Sequence, residues 1–166
     1  MDGDRLAVSE HPSSPTTDHI HIYEKLKSLE GEWSGTYAWT GDKSGSGEIY
    51  ARYYLTGFNS AIVEDLMDEN GVVSMTSVYH LDHNDLRMTH YCAANNHPRL
   101  KAIVSDAQSV KFEMVDITNL KTGPENHGHV YEVRLEFAGN DRLDIFFSFD
   151  QEGKKSLETV NLSRND

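Results

Sequence analysis

The stretch VSMTSVYHLDHNDLRMTHYCAANNHPR, from Val73 to Arg99, decides the fold. Two runs in which apolar and polar residues alternate, Val73–Leu81 and Leu86–Cys92, flank the polar residues DHND. This pattern predicts two antiparallel strands joined by a tight turn. The stretch also holds four of the nine histidines and the only cysteine. A functional site is therefore sought here first, although no motif in it defines a reaction.

Short strands separated by turns continue along the rest of the chain. DENG, AGND and QEGK are turn signals between runs in which apolar and polar residues alternate. About ten such strands, spaced by about 8–12 residues, are typical of a sandwich or a barrel. Because an open meander of this size would leave two unpaired edges, the pattern favours an all-β, closed, antiparallel up-and-down barrel.

One short helix is predicted before the first strand. Apolar residues at helical spacing over Tyr23–Leu29, followed by Gly31, indicate a helix that ends at the glycine. We expect this helix to close one mouth of the barrel. The polar segment before it has no periodicity, so residues 1–19 are predicted to form a disordered tail and residues 20–166 a single barrel domain.

Composition and charge narrow the classes of partner. Charged residues make up 25% and hydrophobic residues 37% of the chain, as in a globular protein. A formal net charge of −12 argues against nucleic acid and anionic membrane surfaces as partners. No apolar run reaches the roughly 20 residues of a membrane helix. The acidic N-terminus without an apolar leader and the single cysteine favour the cytoplasm.

Alternation also predicts which side chains point into the barrel. On the Leu86–Cys92 strand, leucine and methionine mark the inward face, which also carries His90 and Cys92. On the partner strand the two faces are less distinct, and we assign Tyr79 to the inward face, which leaves His80 outside. The predicted interior consists of Tyr53, Val63, Tyr79, Met88, His90, Cys92, Met114, Tyr131, Val133, Leu135 and Phe147.

At the start of the first strand the chain resembles a known superfamily. Gly31-Glu32-Trp33, preceded by a short helix and followed by a strand meander, is similar to the G-x-W signature of the calycins, which include lipocalins and fatty-acid-binding proteins. The run SVYHLDHNDLRMTHYCAANNHPRLKA more specifically resembles a bacterial family of calycin-like domains of unassigned function with a Y-H-L-D, T-H-Y-C-A-A and P-R pattern. The resemblance covers about Leu26 to Arg164, and it implies a barrel in which Arg164 packs over Trp33.

Three departures limit what the resemblance implies about ligands. Thr40–Gly47 is too short for the helix pair that fatty-acid-binding proteins insert between their first two strands, and their C-terminal R-x-Y pair is missing. Gly31–Gly35 also matches the G-x-W-x-G start of nitrobindin-like haem barrels. Those proteins take their iron ligand from a histidine near the C-terminus, and this chain has none after His129.

His90 and Cys92 are the first candidates for chemistry. On one strand face they lie about 7 Å apart along the chain. A thiol becomes a nucleophile only with an imidazole within hydrogen-bond reach, and a small buried cysteine beside a hydrogen-bonded core histidine gives the same pattern. No catalytic residue is therefore assigned. His80 falls on the opposite face, which argues against a metal site shared with His90.

Two histidine pairs and one arginine are the remaining polar candidates. His19 and His21 would share one face of a strand, while His127 and His129 flank a glycine at the end of a long loop near the predicted mouth. Both chelation and simple solvation fit these pairs, and we predict no metal site. Arg99 is either an anchor for a carboxylate or a surface residue at a strand start.

Three functional hypotheses stay open at this point. The first is a module that binds a small, mainly hydrophobic molecule inside the barrel, without a cofactor. The second is a haem-binding or enzymatic barrel that uses His90 in the same cavity. The third is a filled barrel that works through its surface, for example as a homodimer. The predicted ligand-binding residues are His90, Cys92, Tyr79, Met88, Tyr53, Tyr131 and Arg99, and the predicted structural residues are Gly31, Trp33 and Arg164.

Overall fold

The computed structural model describes residues 19–166, so the predicted tail lies almost wholly outside the described residues. Within them the chain forms ten strands, one α-helix and one short 3-10 helix. Helix α1 spans Ile20–Lys27, and the 3-10 helix spans Gly123–Glu125. The strands are β1 Gly31–Gly41, β2 Gly45–Thr56, β3 Ala61–Met67, β4 Val73–Asp82, β5 Asp85–Tyr91, β6 His97–Ser105, β7 Ser109–Thr118, β8 His129–Ala138, β9 Arg142–Gln151 and β10 Lys154–Arg164.

The ten strands form one closed antiparallel barrel in which each strand pairs with its neighbours in sequence. β1 pairs with β10 along its length, starting with Trp33 opposite Arg164, and this pairing closes the sheet. Gly35 allows the two strands to approach closely, because an added Cβ would lie only 1.7 Å from the Asn161 carbonyl oxygen. The prediction of an all-β up-and-down barrel is confirmed.

Helix α1 closes one end of the barrel, which we term the closed end. The helix begins at Ile20, three residues before the predicted start, and contacts strands β4 and β5. Ile22, Tyr23 and Leu26 are buried, as the helical spacing of apolar residues requires. Neither helix in the described part of the chain is long and apolar enough to cross a membrane.

His19 and His21 contact the end of β6 and the β6–β7 turn rather than lying on a strand. His19 Nδ1 is 2.7 Å from Ser105 Oγ, and His21 Nε2 is 2.8 Å from the Asp106 carbonyl oxygen. The prediction that they share one face of a strand is therefore wrong, because the helix already begins at Ile20. Their contacts hold the start of the helix against the barrel.

Trp33 and Arg164 complete the closed end in the way the calycin resemblance implies. The Arg164 guanidinium lies over the Trp33 ring, 4.5 Å from the ring centre. It also donates hydrogen bonds to the carbonyl oxygens of Ser28 and Glu30, just after α1, at 2.7 and 2.9 Å. Trp33 Nε1 donates to the Leu29 carbonyl oxygen at 2.8 Å. These bonds join the helix, the first strand and the last strand.

The predicted inward faces are confirmed on the central hairpin and on β2. Tyr53, Tyr79, Met88 and His90 are each exposed by 1% or less. Cys92 follows the end of β5 and is half-buried against the core. The alternation of apolar and polar residues therefore identified the interior of these strands.

The prediction for β3 is wrong, because Val63 lies on the outer face of the sheet. Val63 pairs with the partly exposed Tyr54 of β2. The inward position next to it belongs to Glu64, which lies opposite Ser77 of β4 and is fully buried. In the sequence AIVED two apolar residues are followed by two acidic ones, so alternation does not identify the face.

The prediction for the start of β8 is also wrong, because Tyr131 lies on the outer face. The pairing with β9 shifts register between Val130 and Glu132, and this irregularity makes Val130 the inward residue. Val130 is 2% exposed, whereas Tyr131 is half-buried with Lys155 Nζ 4.3 Å from its ring centre. Tyr131 therefore does not face the interior of the barrel.

Candidate functional site

The end of the barrel opposite α1 carries no α-helix in the described chain, only the 3-10 helix within the β7–β8 turn, and we term it the mouth. The turns β1–β2, β3–β4, β5–β6, β7–β8 and β9–β10 surround it. A cavity of about 230 Å³ enters the barrel here, with walls that are mostly apolar. It is lined by Trp39, Lys43, Met75, Cys92, Ala93, Ala94, His127, Val130, Phe149 and Glu158.

A second, wider cavity of about 570 Å³ adjoins the first. The two share Trp39, Met75, Ala93 and Glu158 in their walls. The wider one extends over the β1–β2 hairpin to the β3–β4 turn at residues 68–70. Together they form the mouth cavity, which is open to solvent on one side.

Beneath the mouth cavity the barrel is filled with side chains. The rings of His90 and Phe147 lie 5.2 Å apart between centres, and those of Tyr79 and Phe112 lie 5.8 Å apart. All four residues are fully buried. These rings belong to one contiguous cluster of buried side chains that runs from α1 up to the layer of His90, and the cavity begins above that layer.

Glu158 of β10 is the buried acid of the mouth cavity. It points inward between Trp39 of β1 and Phe147 of β9, which are its partners in the two ladders, and it is 6% exposed. Among the residues that the structure describes, its carboxyl group has no hydrogen-bond or salt-bridge partner. Burial raises the pKa of Glu158 to about 7, although the charge of Lys43 acts in the opposite direction.

Lys43 places an ammonium group over two aromatic rings of the mouth cavity. Its Nζ lies 4.4 Å from the ring centre of Phe149 and 5.0 Å from that of Trp39. These two rings meet edge to face, 5.6 Å apart. The backbone amide of Lys43 donates to Ser156 Oγ at 2.8 Å, which fixes the base of the side chain.

His90 lies one inward position deeper than Cys92, directly below the cavity. Its Nδ1 is 3.0 Å from Ser77 Oγ, while Nε2 is buried and has no hydrogen-bond partner among the described residues. Burial lowers the pKa of His90 to about 4, so the ring is neutral at pH 7. When Nδ1 donates its proton to Ser77, Nε2 is a hydrogen-bond acceptor without a donor.

Cys92 forms part of the cavity wall, but its environment does not activate the thiol. Burial raises the pKa of Cys92, and its Sγ accepts a weak hydrogen bond from the Ala94 amide at 3.4 Å. The nearest imidazole on the same strand, that of His90, is engaged with Ser77 through Nδ1. A protonated, half-buried thiol acts as a small apolar side chain.

A buried acid below the cavity connects three strands. Glu64 Oε2 accepts hydrogen bonds from the hydroxyls of Tyr53 and Tyr79, at 2.7 and 3.0 Å, while Oε1 has no partner among the described residues. Burial raises the pKa of Glu64, and the hydrogen bonds from the two tyrosines oppose that shift. Tyr53 and Tyr79 therefore satisfy a buried carboxyl group and do not line the cavity. Met88 lies beside them in the packed region.

His127 and His129, the histidine pair at the end of the long loop, lie in different environments at the mouth. His127 is exposed and lines the cavity, whereas His129 begins β8 and burial lowers its pKa. Over residues 19–166, no group of three or more His, Cys, Asp and Glu side chains is arranged to hold a metal ion.

Arg99 lies on the outer face of the barrel, away from the mouth cavity. Its guanidinium forms two hydrogen bonds with the Asp116 carboxylate on the neighbouring strand, and this contact lowers the pKa of Asp116. The pair borders an external groove of about 320 Å³ that also includes His80 and Arg87. The carboxylate that Arg99 binds is thus one of the chain itself.

Of the residues that the sequence predicted for ligand binding, Cys92 lines the mouth cavity and His90 lies buried beneath it, whereas Glu158, Lys43 and Trp39 of the cavity walls were not predicted. Glu158 lies two residues before Val160 on β10, so alternation places both side chains on the inward face. This pattern could have identified Glu158. Lys43 lies in a turn, where alternation predicts nothing. Trp39 follows Trp33 on the same face of β1, but its place at the mouth depends on the closed barrel.

The chain was compared with known proteins at three levels. No protein-family model and no curated protein matches it. Among solved structures, Rv2717c from M. tuberculosis aligns at 12% identity over 86% of this chain and 96% of that chain, with a TM-score of 0.58. The S-type phycobiliprotein lyase CPES from Guillardia theta aligns at 13% identity over 92% and 99% of the two chains, with a TM-score of 0.48.

A third structure, a protein of unknown function from the DUF3598 family of Nostoc punctiforme, aligns at 12% identity and a TM-score of 0.48. That alignment covers 84% of this chain and 48% of the other. At these identities the likeness shows a shared fold and nothing further. The fold is a closed, ten-stranded antiparallel barrel, and the calycin resemblance, including membership of the bacterial family with the Y-H-L-D pattern, stays a prediction.

Proposed function

We propose that this barrel binds a small, mainly apolar molecule in the mouth cavity. The observation that carries the proposal is the contrast in packing within one barrel. Side chains fill the lower part, whereas the mouth keeps a cavity whose walls are Trp39, Met75, Cys92, Val130 and Phe149. Concave, largely apolar sites with a few polar groups are how proteins bind small molecules.

The few polar groups indicate how the molecule would be oriented. Glu158 faces the cavity, and His90 lies beneath it with an unpartnered Nε2. Both flank Phe147, because the ring of His90 packs on it and Glu158 lies opposite it in the β9–β10 ladder. The apolar body of the molecule would contact Trp39 and Phe149, and its polar end would reach the floor between Glu158 and His90.

Native mass spectrometry of freshly purified protein, before and after denaturation, tests the proposal. We expect an excess mass that disappears on denaturation, and we expect Cys92→Phe to abolish it, because the larger ring fills the cavity. Ala38→Phe is the matched control, since Ala38 is exposed on β1 and adds the same ring outside the barrel. An excess mass that Cys92→Phe retains would place the molecule elsewhere.

If the purified protein carries no excess mass, titration with n-octanol gives the decisive result. Heat of binding in the parent and in Ala38→Phe, but not in Cys92→Phe, would support a cavity that is empty as purified. No binding of this probe at millimolar concentration would contradict the proposal. The circular dichroism spectrum of each variant shows whether the barrel remains folded.

A further inference from the structure

The charges around the mouth cavity are strongly asymmetric. Among residues 19–166, four carboxyl groups line it, those of Glu48, Asp68, Glu69 and Glu158, and Lys43 is the one ammonium group in its walls. The chain as a whole carries a formal net charge of −12. The potential in a cleft lined by one sign of charge is focused into it, so the mouth attracts cations.

Glu158 is distinct from the other three acids because it is buried. It is 6% exposed and belongs to the walls of both parts of the cavity. Within residues 19–166 its carboxyl group forms neither a hydrogen bond nor a salt bridge. Its side chain faces a cavity that is open to solvent, and a cation that enters the cavity would supply an ion-pair partner that no described residue provides.

The aromatic walls supply a second element of cation recognition. An ammonium group within about 6 Å of an aromatic ring centre is attracted by the electrons of the ring face. Lys43 Nζ already occupies such a place, 4.4 Å from the ring centre of Phe149 and 5.0 Å from that of Trp39. It forms no salt bridge with any described residue. The side chain of Lys43 thus marks the place where the rings accept a positive charge.

We propose that the molecule bound in the mouth cavity is an organic cation, with an ammonium group that pairs with Glu158 and an apolar body that packs on Trp39 and Phe149. The inference rests on the proposed function and names the class of its ligand. On binding, the Lys43 side chain leaves the two rings and turns to solvent.

An anionic ligand held by Lys43 is the competing assignment. It would place a carboxylate beside Glu158 and within a mouth that contains three further acids, Glu48, Asp68 and Glu69. Like charges that face each other across a cleft repel each other. The apolar rings of Trp39 and Phe149 would also lose their favourable contact with Lys43. The observations therefore favour the cation.

Three probes with the same alkyl chain separate these possibilities: n-octylammonium, n-octanol and octanoate. Binding to the full chain is measured by isothermal titration calorimetry at pH 8 in about 0.15 M salt, where surface charges are screened. We expect n-octylammonium to bind about tenfold more tightly than n-octanol, and octanoate to bind more weakly than either.

Two variants and one control connect this preference to the named residues. Glu158→Gln should weaken n-octylammonium about tenfold and leave n-octanol unchanged, because only the ion pair is lost. Lys43→Met should strengthen n-octylammonium, because the resident cation no longer competes for the rings. Glu32→Gln, on the exposed face of β1 at the closed end, removes the same charge far from the cavity and should change nothing.

The remaining outcomes separate the failure of this inference from the failure of the proposed function. Equal binding of all three probes, or a tenfold preference that Glu158→Gln leaves intact, would overturn the cation assignment while the cavity remains a binding site. Tighter binding of octanoate, lost in Lys43→Met, would establish the anionic assignment instead. Absence of binding by every probe would overturn both proposals.

Discussion

The two tryptophans lie on the same face of β1, yet they belong to opposite ends of the barrel. Trp33 is 1% exposed at the closed end, and Trp39 is half-buried at the mouth. A cation lies over each ring, the guanidinium of Arg164 in one case and the ammonium of Lys43 in the other. The same local contact therefore occurs twice on one strand, in two different settings.

The two ends of the barrel differ in how many hydrogen bonds the cation at each end forms. Arg164 donates hydrogen bonds to the carbonyl oxygens of Ser28, Glu30 and Asn140, so it ties the end of β10 to the segment after α1 and to the β8–β9 turn. Within residues 19–166, the ammonium group of Lys43 has only the two rings and the long-range charge of Glu158. A cation whose hydrogen bonds are all made, such as that of Arg164, stabilises one arrangement of the fold. A cation without hydrogen bonds, such as that of Lys43, can exchange its contacts for those of a ligand.

The largest expected effect is on the free energy of unfolding, and it differs between the two tryptophans. Trp33→Ala removes a buried ring and its hydrogen bond to Leu29 and should lower the free energy of unfolding by about 4 kcal/mol. Trp39→Ala should lower it by about 1 kcal/mol, because the half-buried ring leaves less apolar surface to expose. Urea denaturation followed by circular dichroism measures both. Equal losses would contradict the distinction between a packed end and an open one.

The second effect is a pH dependence that comes from Glu158. Its pKa in the folded protein is about 7 against an ordinary 4.5, so the folded state holds a proton that the unfolded state loses between these values. Protonated Glu158 therefore makes its full contribution to the free energy of unfolding below pH 4.5. That contribution falls as the pH rises towards 7 and is absent above pH 7. At pH 8, Glu158→Gln should raise the free energy of unfolding by about 3 kcal/mol.

The comparison of Glu158→Gln with the parent at pH 4.5 and pH 8 isolates this group, because every other titration is common to both proteins. The gain in stability should be absent or reversed at pH 4.5. Glu32→Gln serves again as the control for the loss of one surface charge. A variant whose difference from the parent is the same at both pH values would show that Glu158 titrates normally.

A smaller change in the free energy of unfolding is expected when the two cations, Arg164 and Lys43, are replaced. Arg164→Met removes hydrogen bonds to three carbonyl oxygens at the closed end and should cost about 2 kcal/mol of unfolding free energy. Lys43→Met should cost less than about 0.5 kcal/mol, since an exposed cation–π contact contributes little. Thermal denaturation of the two variants side by side provides the measurement. A larger loss from Lys43→Met would assign the mouth a structural role.

The smallest expected effect concerns the floor of the cavity. His90→Leu removes the unpartnered Nε2 and should weaken binding of n-octanol about fivefold, which corresponds to about 1 kcal/mol for one hydrogen bond. Met88→Leu, a replacement of similar volume in the packed region, is the control and should leave the affinity unchanged. Unchanged affinity in His90→Leu would remove that residue from the site.

The strands were predictable from the sequence because each inward face had to be apolar in a barrel of this size. The prediction of the inward face was wrong where apolar and polar residues do not alternate regularly or where the strand register shifts. Val63 and Glu64 stand in a run of two apolar and two acidic residues, and Tyr131 follows a register shift that alternation cannot reveal. In both cases the tertiary structure, and not the local pattern, determined the face.

The candidate site was less predictable than the fold. His90 and Cys92 were found because they lie on a clearly alternating strand next to the cavity. Lys43 and Glu158 are 115 residues apart in the sequence, and they come together only because β1 pairs with β10. The cavity itself arises where facing side chains fail to fill the mouth, which depends on the shapes of many residues at once.

The central claim, that the mouth and not the closed end receives a ligand, can be tested with 5-fluorotryptophan. The chain contains two tryptophans, so the labelled protein gives two ¹⁹F NMR signals, and Trp39→Phe assigns them. On titration with n-octanol, the Trp39 signal should shift to saturation while the Trp33 signal stays in place. A shift of the Trp33 signal, or no shift of either, would contradict the account.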